Sequence, residues 1–153
     1  MKIYVASSWR NEDQPRVVNV LKEHGHDVYD FRNPGGEPGF SWDSVDKNWE
    51  CWDVAEFKKA LNHPVAKAGY RRDMRALAEA DVCLLVLPCG RSAHLEAGYA
   101  AWTKTQVLFI PPLVVGVPEL MYNMCDEILY DWPALSARAK QLKSEEAASL
   151  GSI

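Results

Sequence analysis

Short apolar runs alternate with amphipathic segments along the whole chain. Runs rich in Val, Ile and Leu are typical of buried strands, whereas apolar residues spaced three or four apart indicate helices. Val17, Val18 and Leu21 follow the helical spacing, and Gly25 comes after them as a helix stop. The pattern predicts strands at 3–6, 27–31, 82–87, 106–110 and 127–130. It predicts helices at 14–24, 53–61, 64–80, 92–104, 118–124 and 134–142.

The regular alternation of strands and helices predicts an α/β fold, a doubly wound parallel sheet with helices on both faces. Right-handed crossovers leave few topologies, of which the order 2-1-3-4-5 is the common one for five strands. In that order the topological switch point lies between the first and third strands. The loops that follow these strands, 7–11 and 88–92, are therefore expected to meet over one cleft.

The length of 153 residues suits one hydrophobic core, so a single domain over 1–153 is expected. The segment 33–60 begins with a run rich in Pro, Gly and aromatic residues that has no periodicity. Long loops in compact domains are usually functional or disordered, and the aromatic residues favour the first. This segment is therefore expected to be an insert over the site, and the tail 143–153 is expected to be frayed.

Composition and charge exclude several classes of protein. Hydrophobic residues make up 48% of the chain and the net charge is −4, with no basic run, so a nucleic-acid polymer is not an expected partner. No apolar run is long enough to span a membrane, and the chain opens on a strand without a signal peptide. The four cysteines have no metal-binding spacing, so we expect no metal and a reduced, cytoplasmic setting.

The turn after the first strand carries Ser7, Ser8 and Arg10. It has no glycine and therefore lacks the fingerprint of a dinucleotide-binding turn, and a Walker A motif is also missing, so no cofactor is expected. Hydroxyls and a guanidinium beside a helix N-terminus suit a single phosphate group. The competing interpretation is that Ser8 or Asn11 caps the helix and that Arg10 is only solvated.

Glu96 is the candidate nucleophile, because it lies near the start of the helix that follows the third strand. Ser92 precedes it by four residues, whereas a capping box needs a spacing of three. A glutamate near a helix N-terminus is expected to stay ionised at neutral pH, as a nucleophile requires. The alternative is structural, because the helix dipole alone favours acidic residues in a first turn.

A nucleophilic carboxylate usually works with a second carboxyl group that protonates the leaving group. The candidates are Asp73, Glu79 and Asp81. Asp81 is expected at the amino end of the third strand, away from the cleft, with Glu79 close to it. Asp73 lies on the preceding helix and reaches the cleft only if that helix is bent or shortened. Its structural alternative is an ion pair with Arg72 or Arg75.

Three segments resemble the nucleoside 2-deoxyribosyltransferase family, whose superfamily includes deoxynucleoside 5′-monophosphate N-glycosidases. They are Val5-Ala-Ser-Ser-Trp-Arg10, the run 73–81, which contains Asp73, Leu77, Ala80 and Asp81, and Gly90-Arg-Ser-Ala-His-Leu-Glu-Ala-Gly-Tyr99. The resemblance implies a flavodoxin-like fold, a Glu nucleophile and an Asp partner, here Glu96 and Asp73. Glu96 then attacks the anomeric carbon of the sugar, and Asp73 protonates or positions the departing base. Another base or water finally takes the glycosyl group.

The resemblance also implies how the substrate, a nucleoside or nucleotide, is held. Ser8 and Arg10 match positions that hold a 5′-phosphate, and Ser92 lies near the phosphate-binding turn. Family members build each site across a subunit interface, which implies a homodimer or higher homo-oligomer in which Tyr122 or Asn123 reaches a neighbour's pocket. The expected substrate-binding set is Ser7, Ser8, Arg10, Phe31, Trp42, Gly90, Ser92 and Asn123.

Two functions of other kinds stay open beside N-glycosidic cleavage or transfer. One is an NAD or cyclic-nucleotide glycohydrolase of the similar TIR-like group, which also uses a glutamate. The other is a nucleotide-binding module without catalysis. Within the first function, the base, the sugar and the choice between transfer and hydrolysis are left undecided by the residues.

Overall fold

The computed structural model describes residues 1–110 and 119–151. Within these residues, five strands form one sheet in the order β2-β1-β3-β4-β5, and every neighbouring pair is parallel. The predicted α/β class, the doubly wound parallel sheet and the order 2-1-3-4-5 are confirmed. The strands are β1 (Lys2–Ala6), β2 (Asp27–Asp30), β3 (Val82–Val86), β4 (Thr105–Phe109) and β5 (Glu127–Leu129).

The described part of the chain contains five α-helices. Three of them have proline in the first turn, where the missing N–H has no helical partner to lose. Another begins with a capping box, in which Asp53 and Glu56 each accept the other's backbone N–H at 2.8 Å. The helices are α1 (Gln14–Glu23), α2 (Val54–Ala60), α3 (Pro64–Glu79), α4 (Arg91–Ala100) and α5 (Trp132–Leu150).

Three helical segments differ from the sequence prediction. α5 continues to Leu150, so residues 143–150 are helical and the expectation of a frayed tail is wrong there. Glu146 supports this end, since it pairs with Lys143 at 2.6 Å and also with the N-terminal amine of the chain. α4 starts at Arg91 and ends at Ala100, four residues early. The helix predicted at 118–124 is a short 3-10 helix, Leu120–Met124, and residue 118 lies outside the described residues.

Alternate residues of the buried strands point to opposite faces of the sheet, and helices cover both faces. The face under α1 and α5 is built on β-branched, leucine and phenylalanine side chains, among them Ile3, Val5, Leu84 and Phe109. The face under α3 and α4 contains Tyr4 and Cys83 beside smaller apolar side chains such as Ala93 and Ala97. This second face is the one that positions the candidate site. No helix among the described residues is long and apolar enough to cross a membrane.

The insert 33–60 is held together by aromatic rings. The Trp42 ring lies 4.8 Å from Phe40, 5.5 Å from Trp52 and 6.0 Å from Phe57, measured between centroids. A Cβ added at Gly69 of α3 would come within 3.0 Å of Phe40, so this glycine lets the insert lie directly on the helix. The insert is therefore anchored to the first half of α3. It contains α2 and the 3-10 helices Pro34–Gly36, Trp42–Ser44 and Trp49–Cys51.

Candidate active site

Four ionisable side chains from four elements meet on the face that α3 and α4 cover. Tyr4 comes from β1, Tyr29 from β2, Asp73 from α3 and Glu96 from α4. The rings of Tyr4 and Tyr29 stack with centroids 5.2 Å apart and planes inclined by 14°. The Tyr29 hydroxyl donates a hydrogen bond of 2.6 Å to Oδ1 of Asp73. The structure thus gathers the two predicted carboxyl groups around the buried Tyr4 and the half-buried Tyr29.

The electrostatics of the four groups show how close they are. Burial and then the charge of Asp73 raise the pKa of Glu96 to about 7, and the Tyr4 hydroxyl partly opposes this rise. Burial also raises the pKa of Asp73, while Tyr29 and Arg72 act to lower it. The pKa of Tyr4 is raised by burial first and then by the charges of Glu96 and Asp73. Tyr4, Glu96 and Asp73 therefore form one electrostatic unit.

The expectation that Glu96 stays ionised at neutral pH is wrong. Because α4 starts at Arg91, Glu96 lies in the second helical turn, where the dipole of the helix N-terminus has little effect. Burial and the charge of Asp73 raise the pKa to about 7, so part of the Glu96 population is protonated at neutral pH. The carboxylate that a nucleophile requires thus becomes abundant only as the pH rises through this value.

Asp73 and Glu96 meet because two helices run antiparallel to the strands. Asp73 lies six residues before the last residue of α3, which places it about 9 Å above the amino edge of the sheet. Glu96 lies six residues from the cap of α4, which brings it about the same distance down from the carboxyl edge. The two carboxyl groups meet at the level of Tyr4, in mid-sheet. A bent or shortened α3 is therefore unnecessary, since the nucleophile itself descends from the edge.

Glu79 and Asp81 lie at the amino edge, as predicted. Asp81 accepts a hydrogen bond from the backbone N–H of Lys2 at 2.8 Å. The ammonium group of Lys2 pairs with Glu79 at 3.1 Å. Both carboxylates have partners away from the Tyr4 level, which leaves Asp73 as the carboxyl group beside Glu96.

The turn after β1 is joined to the end of β3. Ser7 Oγ donates to the carbonyl oxygen of Val86 at 2.9 Å, and the Asn11 side-chain amide donates to Ser7 Oγ at 3.0 Å and to the Pro88 carbonyl at 3.1 Å. Asn11 is only 2% exposed. The predicted meeting of the loops 7–11 and 88–92 is therefore confirmed, and the Ser7 hydroxyl is engaged in that junction.

Arg32, which the sequence reasoning missed, holds the same turn from the side of β2. Its Nη2 donates to the carbonyl oxygens of Ser8 and Trp9 at 2.9 Å and of Asn11 at 2.7 Å. Ser8 Oγ accepts the backbone N–H of Arg10 at 3.2 Å. Within residues 1–110 and 119–151, the guanidinium of Arg10 has no hydrogen bond or ion pair and is exposed. The turn is thus fixed while its arginine side chain is available to an anion.

The other predicted substrate residues fall into two groups. Phe31 meets the β1 turn, because its ring packs edge-on against Trp9 at 5.5 Å, and Gly90 caps α4, with Ser92 exposed in the first turn of that helix. Trp42 packs inside the aromatic cluster of the insert, and Asn123 donates to the carbonyl of Leu120 at 2.7 Å. Among the described residues, no hydrogen bond or ring contact joins Trp42 or Asn123 to the two carboxyl groups.

A cavity of about 720 Å³ lies beside α4, next to the 3-10 helix Leu120–Met124. His94 bridges its rim. Nδ1 donates to the Gly90 carbonyl at 2.8 Å, and Nε2 lies 3.1 Å from the Tyr122 hydroxyl. Cys89 Sγ is 3.5 Å from Nδ1, but burial raises the pKa of this thiol to about 12. The thiol is therefore protonated and a poor nucleophile at neutral pH.

The chain was also compared with known proteins. No family model matches it, and no curated protein matches it. A solved structure with the same architecture is a 2-deoxyribosyltransferase from the psychrotolerant bacterium Bacillus psychrosaccharolyticus. The two chains share 20% identity over 89% of this chain and 90% of the other, with a TM-score of 0.61. At this identity the likeness shows the fold, and it confirms the flavodoxin-like arrangement.

Proposed function

We propose that this protein cleaves or transfers the N-glycosidic bond of a nucleoside, a deoxynucleoside or a nucleoside 5′-monophosphate through a covalent glycosyl–Glu96 intermediate. The observation that carries the proposal is the convergence of Glu96 and Asp73, from two helices, on one partly buried site beside Tyr4. Paired carboxyl groups of this kind serve retaining glycosidic chemistry. The resemblance of the sequence motifs and the shared fold with a 2-deoxyribosyltransferase support it.

In the first step of the proposed reaction, the carboxylate of Glu96 attacks C1′ of the sugar. The C1′–N bond breaks, its electron pair stays on the base nitrogen, and Asp73 donates a proton to the base. In the second step, water or another base attacks C1′, Asp73 accepts the proton, and Glu96 leaves as a carboxylate. The competent state holds one proton on the pair, which suits the raised pKa of both groups. Two displacements retain the configuration at C1′.

A 5′-phosphate is the proposed anchor of the substrate. The free guanidinium of Arg10 and the hydroxyl of Ser8 lie on a turn that Arg32 and Asn11 hold in place. Ser92, at the exposed start of α4, adds a hydroxyl on the neighbouring loop. A turn that is fixed before binding loses little conformational freedom when the phosphate arrives. We assign Gly90 to close approach of the substrate, because a Cβ there would meet open space.

We further propose a homo-oligomer with sites near its interface. Large apolar side chains are exposed on α4 and just beyond it, with Leu95 at 75% and Trp102 at 87%. Leu120 and Met121 extend this apolar surface onto the 3-10 helix beside the cavity of about 720 Å³. Contiguous exposed apolar surface of this kind marks interaction sites. In this assembly Asn123 reaches the neighbour's site, Phe31 and Trp42 contact the base, and the insert 33–60 covers the pocket.

The experiment is incubation of the purified protein with a panel of nucleosides, 5′-monophosphates and NAD, with and without an acceptor base. Chromatography for the free base identifies the substrate, and a new nucleoside in the presence of acceptor distinguishes transfer from hydrolysis. Glu96→Ala should lose several orders of magnitude in rate. Glu79→Ala, at the amino edge, is the matched control and should keep full activity. Release of nicotinamide alone would favour the TIR-like alternative, and no release from any compound refutes the proposal.

A 2′-fluoro analogue of the substrate tests the covalent step itself. Fluorine destabilises the positive charge that develops at C1′ and slows the second displacement. Mass spectrometry should then show the protein with one added glycosyl group, on the peptide that contains Glu96. Glu96→Ala should show no added mass. Turnover of the natural substrate without any adduct from the analogue would contradict the covalent route.

A further inference from the structure

The two oxygens of the Asp73 carboxyl group have different surroundings. Oδ1 accepts the Tyr29 hydroxyl at 2.6 Å, and Nε of Arg72 lies 3.8 Å from the same oxygen. Within the described residues, Oδ2 accepts no hydrogen bond. One oxygen is therefore fixed by the protein, while the other is left for a proton or a substrate atom.

Tyr29 is well placed to fix Oδ1, because its own position is constrained twice. Its backbone is paired with Tyr4 across β1 and β2, and its ring stacks on the Tyr4 ring at 5.2 Å. Burial and the hydrogen bond to Asp73 raise the pKa of the Tyr29 hydroxyl, which therefore stays a neutral donor over the working pH range. The direction of the Tyr29 O–H bond is thus set by the sheet rather than by the mobile end of a long side chain.

We propose that Tyr29 is a positioning residue for the glycosidic reaction, which holds Oδ1 of Asp73 so that the transferable proton resides on Oδ2. This inference rests on the proposed function. During C1′–N cleavage the Oδ2–H bond breaks, the proton passes to the base nitrogen, and the carboxylate that remains keeps its Tyr29 hydrogen bond. A hydrogen bond to an ionised acceptor is stronger than one to a neutral acceptor, so Tyr29 also stabilises the product state of this step.

Four groups face Asp73 and set its protonation. Tyr29 from β2 and Arg72 from the same helix favour the carboxylate, whereas burial favours the neutral acid. Glu96 from α4 and Tyr4 from β1 complete the surroundings, and a charged Glu96 opposes a second charge. Tyr29→Phe keeps the ring and its stacking and removes only the hydroxyl. The acid dissociation constant of Asp73 should then fall by roughly tenfold to a hundredfold.

A titration of the Asp73 carboxyl carbon by NMR tests this without any substrate. The signal is assigned by its loss in Asp73→Asn, and Tyr130→Phe, at an exposed tyrosine, is the matched control. Tyr29→Phe should raise the pH at which Asp73 titrates by roughly one to two units, which corresponds to the tenfold to hundredfold fall in its acid dissociation constant. 3,5-Difluorotyrosine at position 29 is a stronger hydrogen-bond donor and should lower the pH at which Asp73 titrates. An Asp73 signal that titrates as in wild type in both variants overturns the inference, and the fluorinated variant decides if Tyr29→Phe does not fold.

Kinetics on the substrate found by the panel add a second test. Tyr29→Phe should lower kcat by about tenfold and leave KM within about twofold, because the proton donor is misplaced while binding is retained. In the Asp73→Asn background the same change should have no further effect, since Tyr29 acts through Asp73. Equal losses in both backgrounds would overturn the inference. If the wild type cleaves no compound, the proposed function fails. The NMR titration alone then shows whether Tyr29 controls the protonation of Asp73.

Discussion

Replacing Glu96 by Gln should stabilise the protein, and the gain should depend on pH. In the folded protein the pKa of Glu96 is raised from 4.5 to about 7, by burial first and then by the charge of Asp73. Between these two values the folded state therefore holds more protons than the unfolded state. Wild-type stability then falls as the pH rises through this window, and the loss is complete above it. Each pKa unit corresponds to about 1.4 kcal/mol, so ionised Glu96 destabilises the fold by at most about 3 kcal/mol.

Urea denaturation of wild type and Glu96→Gln at two pH values measures this effect. The stability advantage of the variant should grow by about 2–3 kcal/mol between about pH 5 and about pH 8.5, which for a chain of this size is roughly 5–10 °C in Tm. Glu79→Gln, at an exposed glutamate paired with Lys2, is the control and should show no such growth. An advantage of Glu96→Gln that is the same at both pH values would refute the reasoning.

The remaining predictions concern turnover, substrate choice and assembly. The alkaline limb of kcat/KM should lie near 7, where the pair of carboxyl groups loses its last proton, and activity that keeps rising above this pH would contradict the shared proton. With a leaving group that needs no proton, activity should instead rise as Glu96 ionises near 7, and Asp73→Asn should move this rise to lower pH by about one unit. Arg10→Met should raise KM roughly tenfold or more for a 5′-monophosphate and leave KM for the parent nucleoside unchanged in steady-state kinetics. Trp102→Glu should dissociate the oligomer in sedimentation velocity, because it places a charge on exposed apolar surface, whereas Tyr130→Glu should leave the mass unchanged.

The sheet could be predicted from the sequence because its strands are continuous apolar runs between helical segments. β3 is buried at every position, so its pattern is unambiguous. The end of α5 could not be predicted in the same way, because residues 143–150 are mostly polar. Their helix is supported by an ion pair between Glu146 and the N-terminal amine, which are 145 residues apart in the chain. Contacts at such separation leave no local pattern.

The two acids of the site could be predicted from the sequence, whereas the roles of its two tyrosines could not. Asp73 and Glu96 stand in motifs that resemble a known family, and the resemblance pairs them. Tyr4 and Tyr29 lie inside strands, where an aromatic residue is most simply part of the core. Their roles depend on the register that sets Tyr4 beside Tyr29, and a single sequence does not specify register. A tyrosine on each of two neighbouring strands, facing a helix that carries an Asp, is the signal that was available.

The burial that destabilises Glu96 is also what suits it to the proposed chemistry. A fully solvated glutamate is ionised at neutral pH and strongly hydrated, and hydration must be removed before it attacks carbon. Here α3 and α4 enclose both carboxyl groups at the level of Tyr4, and the raised pKa of Glu96 shows that its charge is poorly solvated. Tyr29 and Arg72 act in the opposite direction on Asp73, so its pKa is raised less than burial alone would raise it. The pair can therefore share one proton near neutral pH, which a nucleophile and an acid working together require.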